Sequence, residues 1–508
     1  MQTSFKSGVG DLFKNNLSNL KISFSKISNF LNKELSAKNA FLLLFILYSL
    51  ALLSILRENI SYRDDIGRTA YGFSGWLDFS RYTTEYLSKL IHAGSYVSDI
   101  SPIPQIIAII ELSLASIFLL KCITGKKTYN LWQIVATIPL ALNPYFLECL
   151  SFKFDSPYMA LSILVAVVPV LFINHFYFFI TTTVISTVII CTSYQASIGI
   201  LPMVTVFSLL TMYINGETLK NLFKTAFYFA IAFLAGAIIF KTLILQPTVR
   251  DYVSIDIAPF DILPNLFVKN MAIYYSDLFS KSGFIGSSAI CKKTSIITTV
   301  VMLIVCVFNS KNNKLLTLLL AALSLTLGAI LTYGFYACLE KPLFIPRTLY
   351  GIGVLLACIF TIAVSYKEFF IAKICSVILG WSLIVTASSY GNALAAQKNW
   401  EKFRAEEVVI DLASIDHGKK KYKVEGNCGL TPSLSYLTID KPIFKRLIPQ
   451  TLGQEFWFWN EPQLSYAYGI SELTYDNEIT DKGTPLSVRE TKYHTIKVFE
   501  DKLIIKLK

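Results

Sequence analysis

Charge is what this chain has least of. Asp, Glu, Lys and Arg make up 16% of its 508 residues, against about 25% in a typical soluble domain. Histidine is scarce too: the four residues form no ligand-spaced cluster, so nothing indicates a zinc site. The nine cysteines contain no C-x-x-C pair. Cys191, Cys306, Cys358 and Cys375 fall inside apolar blocks, where cysteine behaves as a small hydrophobe. Cys149, Cys291, Cys338 and Cys428 lie where an oxidising compartment would permit a disulfide, but sequence cannot pair them. There is no Walker A loop, no H-E-x-x-H, no G-x-S-x-G and no G-x-G-x-x-G after a strand. Those gaps argue against an ATP-driven pump and a soluble-type hydrolase. The first 39 residues are polar and too long for the n-region of a cleavable signal peptide.

What the chain does have is oil in long blocks. Hydrophobic residues make up 54% of it, and they gather in runs long enough to cross about 30 Å of hydrocarbon as helices. The runs cover about 40–56, 104–123, 131–147, 157–173, 176–193, 197–214, 222–245, 294–309, 314–335, 347–366 and 370–388. The expected fold is therefore an all-α polytopic membrane protein with about eleven transmembrane helices. The turn at Asn174–His175 is the least distinct break, since one long tilted helix would also fit it. The net charge of +12 is spread over loops between these blocks, which fits anionic headgroups and the positive-inside bias rather than nucleic acid.

The chain divides into three regions. Residues 1–39 carry an apolar stripe, Phe13, Leu17, Leu20, Phe24, Ile27 and Leu31, with six lysines against Asp11 and Glu34. This predicts a basic amphipathic segment on the cytoplasmic leaflet, although its Ser and Asn content also suits a disordered tail. Residues 40–388 form the membrane domain, with outer segments at about 57–103 and 246–293. Residues 389–508 form a C-terminal outer domain, expected to be a small α/β module. It opens with an amphipathic helix near 394–414 and closes with a hairpin of Thr495–Phe499 and Leu503–Leu507. The lysines at 121, 126 and 127, at 220 and 224, and at 311 and 314 share the N-terminal side.

Chemistry is expected at the opposite rim. Tyr62-Arg63-Asp64-Asp65-Ile66-Gly67-Arg68 follows the first helix. Two adjacent carboxylates flanked by arginines suit a general base beside an anion-binding group, and equally suit helix capping. Glu148 and Asp155 lie in an outer loop where Lys153 could simply be their solvated partner. Tyr194-Gln195 at a helix end could hydrogen-bond sugar hydroxyls, or Tyr194 could belong to the aromatic belt. Arg347 closes the run Lys341-Pro342-Leu343-Phe344-Ile345-Pro346-Arg347, placed to hold a lipid phosphate or to anchor the helix in the interface. The tail run Phe456-Trp457-Phe458-Trp459-Asn460 could stack on sugar rings or fill a small core.

At these residues the chain resembles the serotype-converting O-antigen glucosyltransferases of the Gtr type II group. The resemblance rests on Asp64-Asp65-x-Gly67-Arg68, on Gly75-Trp76 and Arg81 after it, and on the Glu148 to Asp155 loop. It covers about residues 40–390. It implies a GT-C class glycosyltransferase in the bacterial inner membrane with its site facing the periplasm. The implied donor is undecaprenyl phosphate-glucose and the implied acceptor is lipid-linked O-antigen. A donor-lipid flippase and a bactoprenol glucosyltransferase are the implied functional partners. On this basis Asp64 or Asp65 is expected to be the base and Arg68, Arg347 or Arg63 to hold the donor phosphate. Glu148, Asp155, Gln195, Tyr194, Trp76 and Arg81 are expected to bind sugar or acceptor, with inversion by a single displacement. No cofactor is certain, and the carboxylates could also ligate a divalent cation. An O-antigen polymerase or a lipid-linked glycan flippase are the competing expectations, and a scaffold acting through its tail is a third. A transporter would need charge at mid-membrane depth, where this chain has little beyond Glu111 and Lys241.

Overall fold

The computed structural model describes residues 31–246, 257–366, 369–415, 420–454 and 473–508. The basic stripe up to residue 30 and the Phe456–Asn460 run lie outside the described residues.

Every apolar block is helical, but not every block is a full span. Among the described residues seven helices are long and apolar enough to cross a membrane: Ile103–Thr124, Phe176–Ser193, Gln195–Ile214, Leu219–Ile244, Ala289–Asn309, Lys314–Leu331 and Phe370–Ala413. A bent pair, Leu131–Leu142 with Pro144–Ser151, makes an eighth if counted as one span. Ala37–Ala51, Ser156–Phe172 and Gly351–Val364 are shorter apolar helices. The expectation of about eleven spans thus becomes seven or eight by length. A run of apolar letters measures composition, and local breaks shorten the helix inside it. The first block breaks at Leu52 and the tenth begins with a 3-10 turn at Pro346–Thr348. The hairpin at Asn174–His175 is present, joining two separate helices that pack together.

The bent pair does most to shape one rim of the bundle. Asn143 is extended before Pro144, as a pre-proline residue prefers, and the first helix stops there. Asn143 Nδ2 donates to the Pro139 and Leu140 carbonyls and its Oδ1 accepts from Phe146 N. The axis turns by 59°. All eight residues of Pro144–Ser151 are buried, Glu148 among them. A Cβ on Gly353 would collide with the Asn143 side chain, so the helix Gly351–Val364 must approach with glycine at that point. All fourteen residues of that helix are buried, which makes it the centre of the bundle. Leu219–Ile239 and Lys314–Leu331 instead leave Phe223, Phe227, Ile231, Leu315, Leu319 and Leu323 exposed, as a lipid-facing surface would.

On one face the turns interlock. Lys311 N donates to the Ile214 carbonyl, and Asn312 Nδ2 bonds the Tyr213 and Glu217 carbonyls. β1 (Leu35–Ser36) pairs with β2 (Thr128–Tyr129). On the other face, the helix Phe370–Ala413 runs straight through position 388 for 44 residues. At 1.5 Å per residue that is roughly 66 Å, about twice a bilayer core. Its far end carries a mixed five-stranded sheet. With β3 Lys421–Glu425, β4 Thr474–Tyr475, β5 Ser487–Glu490, β6 His494–Val498 and β7 Lys502–Leu507, the order is β4-β3-β7-β6-β5. The closing β6–β7 hairpin is antiparallel as expected. The sheet packs on Ala405, Val408 and Leu412 of the long helix, and Arg404 binds the Cys428, Tyr493 and Lys508 carbonyls. The segment between the sheet's strands behaves differently. Leu434, Ile443, Phe444, Leu447 and Ile448 belong to the core of the membrane bundle itself. All nine cysteines are free thiols.

Candidate active site

Below that segment, four parts of the chain converge: the helix Asp64–Tyr71 and its lead-in, the helix Pro144–Ser151, the turn at Gln195–Ser197, and the turn at Pro346–Thr348.

The twin aspartates separate. Asp65 is fully buried and its Oδ2 accepts from Tyr62 N at 3.1 Å and Lys153 N at 2.9 Å. Its Oδ1 faces Arg68 Nη1 at 4.0 Å. Burial pushes its carboxyl up to about 8 against the opposing charge of Arg68. The carboxylate therefore ties two chain segments together rather than capping its own helix. Asp64 is only half-buried. It lies close enough to Arg347 for its charge to support that guanidinium.

Arg63, between Tyr62 and the aspartates, has φ 49° and ψ −107°, a conformation a non-glycine residue rarely adopts. The strain, of order 1–3 kcal/mol, is held from both sides. Tyr62 is buried, with its ring on Phe152 and its hydroxyl donating to the Leu447 carbonyl at 2.7 Å. Asp65 fixes the other side.

Glu148 is the second anchor. It is fully buried; its Oε2 accepts from Arg347 N at 2.7 Å and its Oε1 from Arg347 Nη1 at 3.2 Å. Tyr62 Oη lies 3.4 Å and Arg63 Nη1 3.7 Å from the same Oε1. Burial alone would make Arg347 easier to deprotonate, but Glu148 overrides it and holds the guanidinium charged. The Phe152 ring lies under that guanidinium at 5.2 Å, and Tyr194 Oη donates to the Arg347 carbonyl at 3.0 Å.

Asp155 has a different set of partners. Arg68 Nη1 donates to its Oδ2, and Trp76 Nε1 donates to its Oδ1 at 2.6 Å. The Arg68 guanidinium also covers the Trp76 ring at 4.8 Å, and its Nε binds the Ser74 carbonyl. All three side chains are nearly inaccessible. They form a clamp that folds residues 64–76 onto the bundle. Gln195 and Arg81 meet at 3.4 Å, and Gln195 Nε2 donates to the Phe79 carbonyl.

So Asp64, Arg63, Arg347, Arg81, Tyr194 and Gln195 border one rim, with Glu148 beneath. Arg68, Trp76 and Asp155 sit in a buried clamp beside it. Among the described residues no group of three His, Cys, Asp or Glu side chains gathers as a cation site. Sequence reading gave no role to Tyr62, which links Glu148 to the C-terminal segment. It also missed Arg446, whose Nη1 pairs with Asp277 of the helix Leu263–Phe279. No local pattern could have assigned either residue its partner.

The model of the glucosyl transferase GtrII family matches residues 53–358, more than half the chain and every residue of this rim. A Salmonella phage P22 protein, described as the uncharacterized 55.3 kDa protein in the gtrB 5′ region, is 26% identical over 484 residues. That alignment covers 86% of this chain and 92% of the phage protein. No solved structure matches.

Proposed function

Since the chain belongs to the glucosyl transferase GtrII family, and so to the glycosyltransferases, we propose that it moves glucose from a polyprenyl-phosphate-glucose donor to lipid-linked O-antigen. In this reading it lies in a bacterial inner membrane with its site on the periplasmic face. A donor-lipid flippase and a polyprenol-phosphate glucosyltransferase supply the donor. One observation carries the proposal: a half-buried carboxylate, Asp64, whose charge supports a guanidinium, Arg347, that Glu148 holds in place.

The chemistry needs little else. An acceptor hydroxyl is a poor nucleophile until a base takes its proton, and a positioned carboxylate contributes typically about 10²–10⁴-fold. Asp64 takes that proton as the acceptor oxygen bonds to the anomeric carbon. The bond from that carbon to the phosphate oxygen breaks, and the lipid phosphate leaves with the electron pair. Arg347 meets the charge that develops there. One displacement inverts the anomeric centre. Asp65 and the Arg68–Asp155–Trp76 clamp act as positioning groups, because Asp65 is fully buried with its Oδ2 taken by two backbone amides, and the clamp's three side chains bind one another away from the rim. The donor's isoprenoid stays in lipid, which is why the reacting groups belong at a rim rather than in a soluble cleft.

The test is glucose transfer from a polyprenyl-phosphate-glucose to lipid-linked acceptor in proteoliposomes. Asp64→Asn lowers it by about 10²–10⁴-fold while Asp65→Asn leaves substantial turnover. Equal loss in both, or full activity in Asp64→Asn at normal expression, overturns the assignment.

A further inference from the structure

Arg81 differs from the other arginines of the rim. Arg68 is engaged by Asp155, Arg347 by Glu148 and Arg446 by Asp277. Among the described residues Arg81 makes no ion pair. Its Nε reaches only Gln195, and its guanidinium lies 4.8 Å from the Tyr194 ring centre and 5.2 Å from that of Phe79. Tyr194 itself donates to the Arg347 carbonyl, so Arg81 and Arg347 flank the same tyrosine.

A third group joins them. The turn Gly334–Cys338 packs on the turn Gln195–Ser197. The approach is close: a Cβ on Gly199 would lie 3.1 Å from Gly334 Cα. This brings Tyr336 to the rim. Its hydroxyl has no hydrogen-bond partner among the described residues. Arg81 meets Gln195 of the turn Gln195–Ser197, so the packing of the two turns brings the phenol to the Arg81 side of the rim. Burial raises its pKa, and the charges of Arg81 and then Arg347 pull it back. A phenol with no acceptor among the described residues, in the field of two guanidinium charges, can donate to an anion held there.

We propose that Arg81, Arg347 and the Tyr336 hydroxyl form the clamp for a lipid phosphate, and that this phosphate is the donor's. The assignment rests on the glucosyltransferase reading. Charge supports it. Arg63, Arg81 and Arg347 set three positive charges against the two carboxylates Asp64 and Glu148, an excess of one. A sugar phosphodiester carries one negative charge and its monoester product carries more, so the clamp tightens as the leaving group departs. Arg suits this task because its planar fork matches phosphate oxygens in pairs. Arg68 does not serve, since Asp155 and the Ser74 carbonyl already occupy it.

The lipid-linked acceptor also carries phosphate, so the experiment separates the two sources. Donor and acceptor saturation curves are measured for Arg81→Gln, Arg81→Lys and Tyr336→Phe, with direct binding of sugar-free polyprenyl phosphate to each purified protein. Tyr336→Phe removes one oxygen and leaves the packing intact. The expected result is a donor KM raised about tenfold or more for Arg81→Gln, the effect of losing a charge-assisted hydrogen bond. A smaller rise is expected for Tyr336→Phe, with acceptor KM within about twofold and weaker polyprenyl phosphate binding in both. A rise confined to the acceptor KM overturns the donor assignment, and unchanged constants with unchanged binding overturn the clamp. If wild-type protein binds polyprenyl phosphate through Arg81 yet transfers no glucose, the glucosyltransferase reading fails and the clamp stands.

Discussion

Glu148 grips Arg347 twice, by its backbone N–H at 2.7 Å and by its guanidinium at 3.2 Å. A carboxylate that fixes both the main chain and the side-chain tip leaves that arginine little freedom at the rim. Glu148→Gln keeps the size and one acceptor but sets an amide against the guanidinium. The expected outcome is a folded protein with a raised donor KM. Glu148→Ala strands Arg347 and costs about 3–5 kcal/mol of stability, read as a lowered midpoint of thermal unfolding in detergent.

Asp64→Asn is expected to lower kcat by about 10²–10⁴-fold without changing the unfolding midpoint. Retained turnover would remove Asp64 from the reaction.

Asp65 gives a pH signature. Burial raises its carboxyl from the ordinary 3.8 to about 8, so the folded state holds the proton more tightly than the unfolded chain. Its contribution is fully present below about pH 4 and is lost as pH rises through about 8. Asp65→Asn keeps the acceptor for Tyr62 N and Lys153 N but cannot ionise. Its unfolding midpoint should fall less between pH 4 and 8 than that of the wild type. Parallel curves would refute the assignment.

The Arg68–Asp155–Trp76 clamp should behave as a unit. Asp155→Ala leaves the buried Arg68 guanidinium with only the Ser74 carbonyl and a longer approach to Asp65 Oδ1 at 4.0 Å, a loss of at most about 3–5 kcal/mol. Adding Arg68→Met removes the stranded charge and should restore much of the midpoint. A double variant no more stable than the single one would show that the pair is not coupled.

Leu447 couples the C-terminal segment to the site, since its carbonyl accepts from Tyr62 and from Tyr390 at 3.2 Å. Tyr62→Phe alone should cost about 0.5–1.5 kcal/mol. With Tyr390→Phe added, protease cleavage between 428 and 448 should speed up. Unchanged cleavage in the double variant would show that packing of Phe444 and Leu447 suffices.

Several features were legible because their causes are local. Apolar runs gave every membrane helix its place, and alternation gave the β6–β7 hairpin. The pre-proline Asn143 marks a break that any reading could find, but its 59° turn and the burial of Glu148 depend on the helices packed around it. The long helix Phe370–Ala413 crosses the expected boundary at 388 because no proline interrupts it and Gly391, a residue that favours helix ends, is held in the helix where Ser54 packs against it too closely for a Cβ. Its polarity changes while its backbone does not.

What the chain determined by itself is an oily helical bundle with charge kept to its two ends, since hydropathy and helix period act within a few residues. Which aspartate is buried, which arginine is already engaged, and which part of the tail joins the bundle were decided only in three dimensions. Asp64 and Asp65 are chemically identical neighbours. They differ because Lys153, 88 residues away from Asp65, supplies an amide to one, while the other stays half-buried at the rim, and no local pattern records a partner so distant.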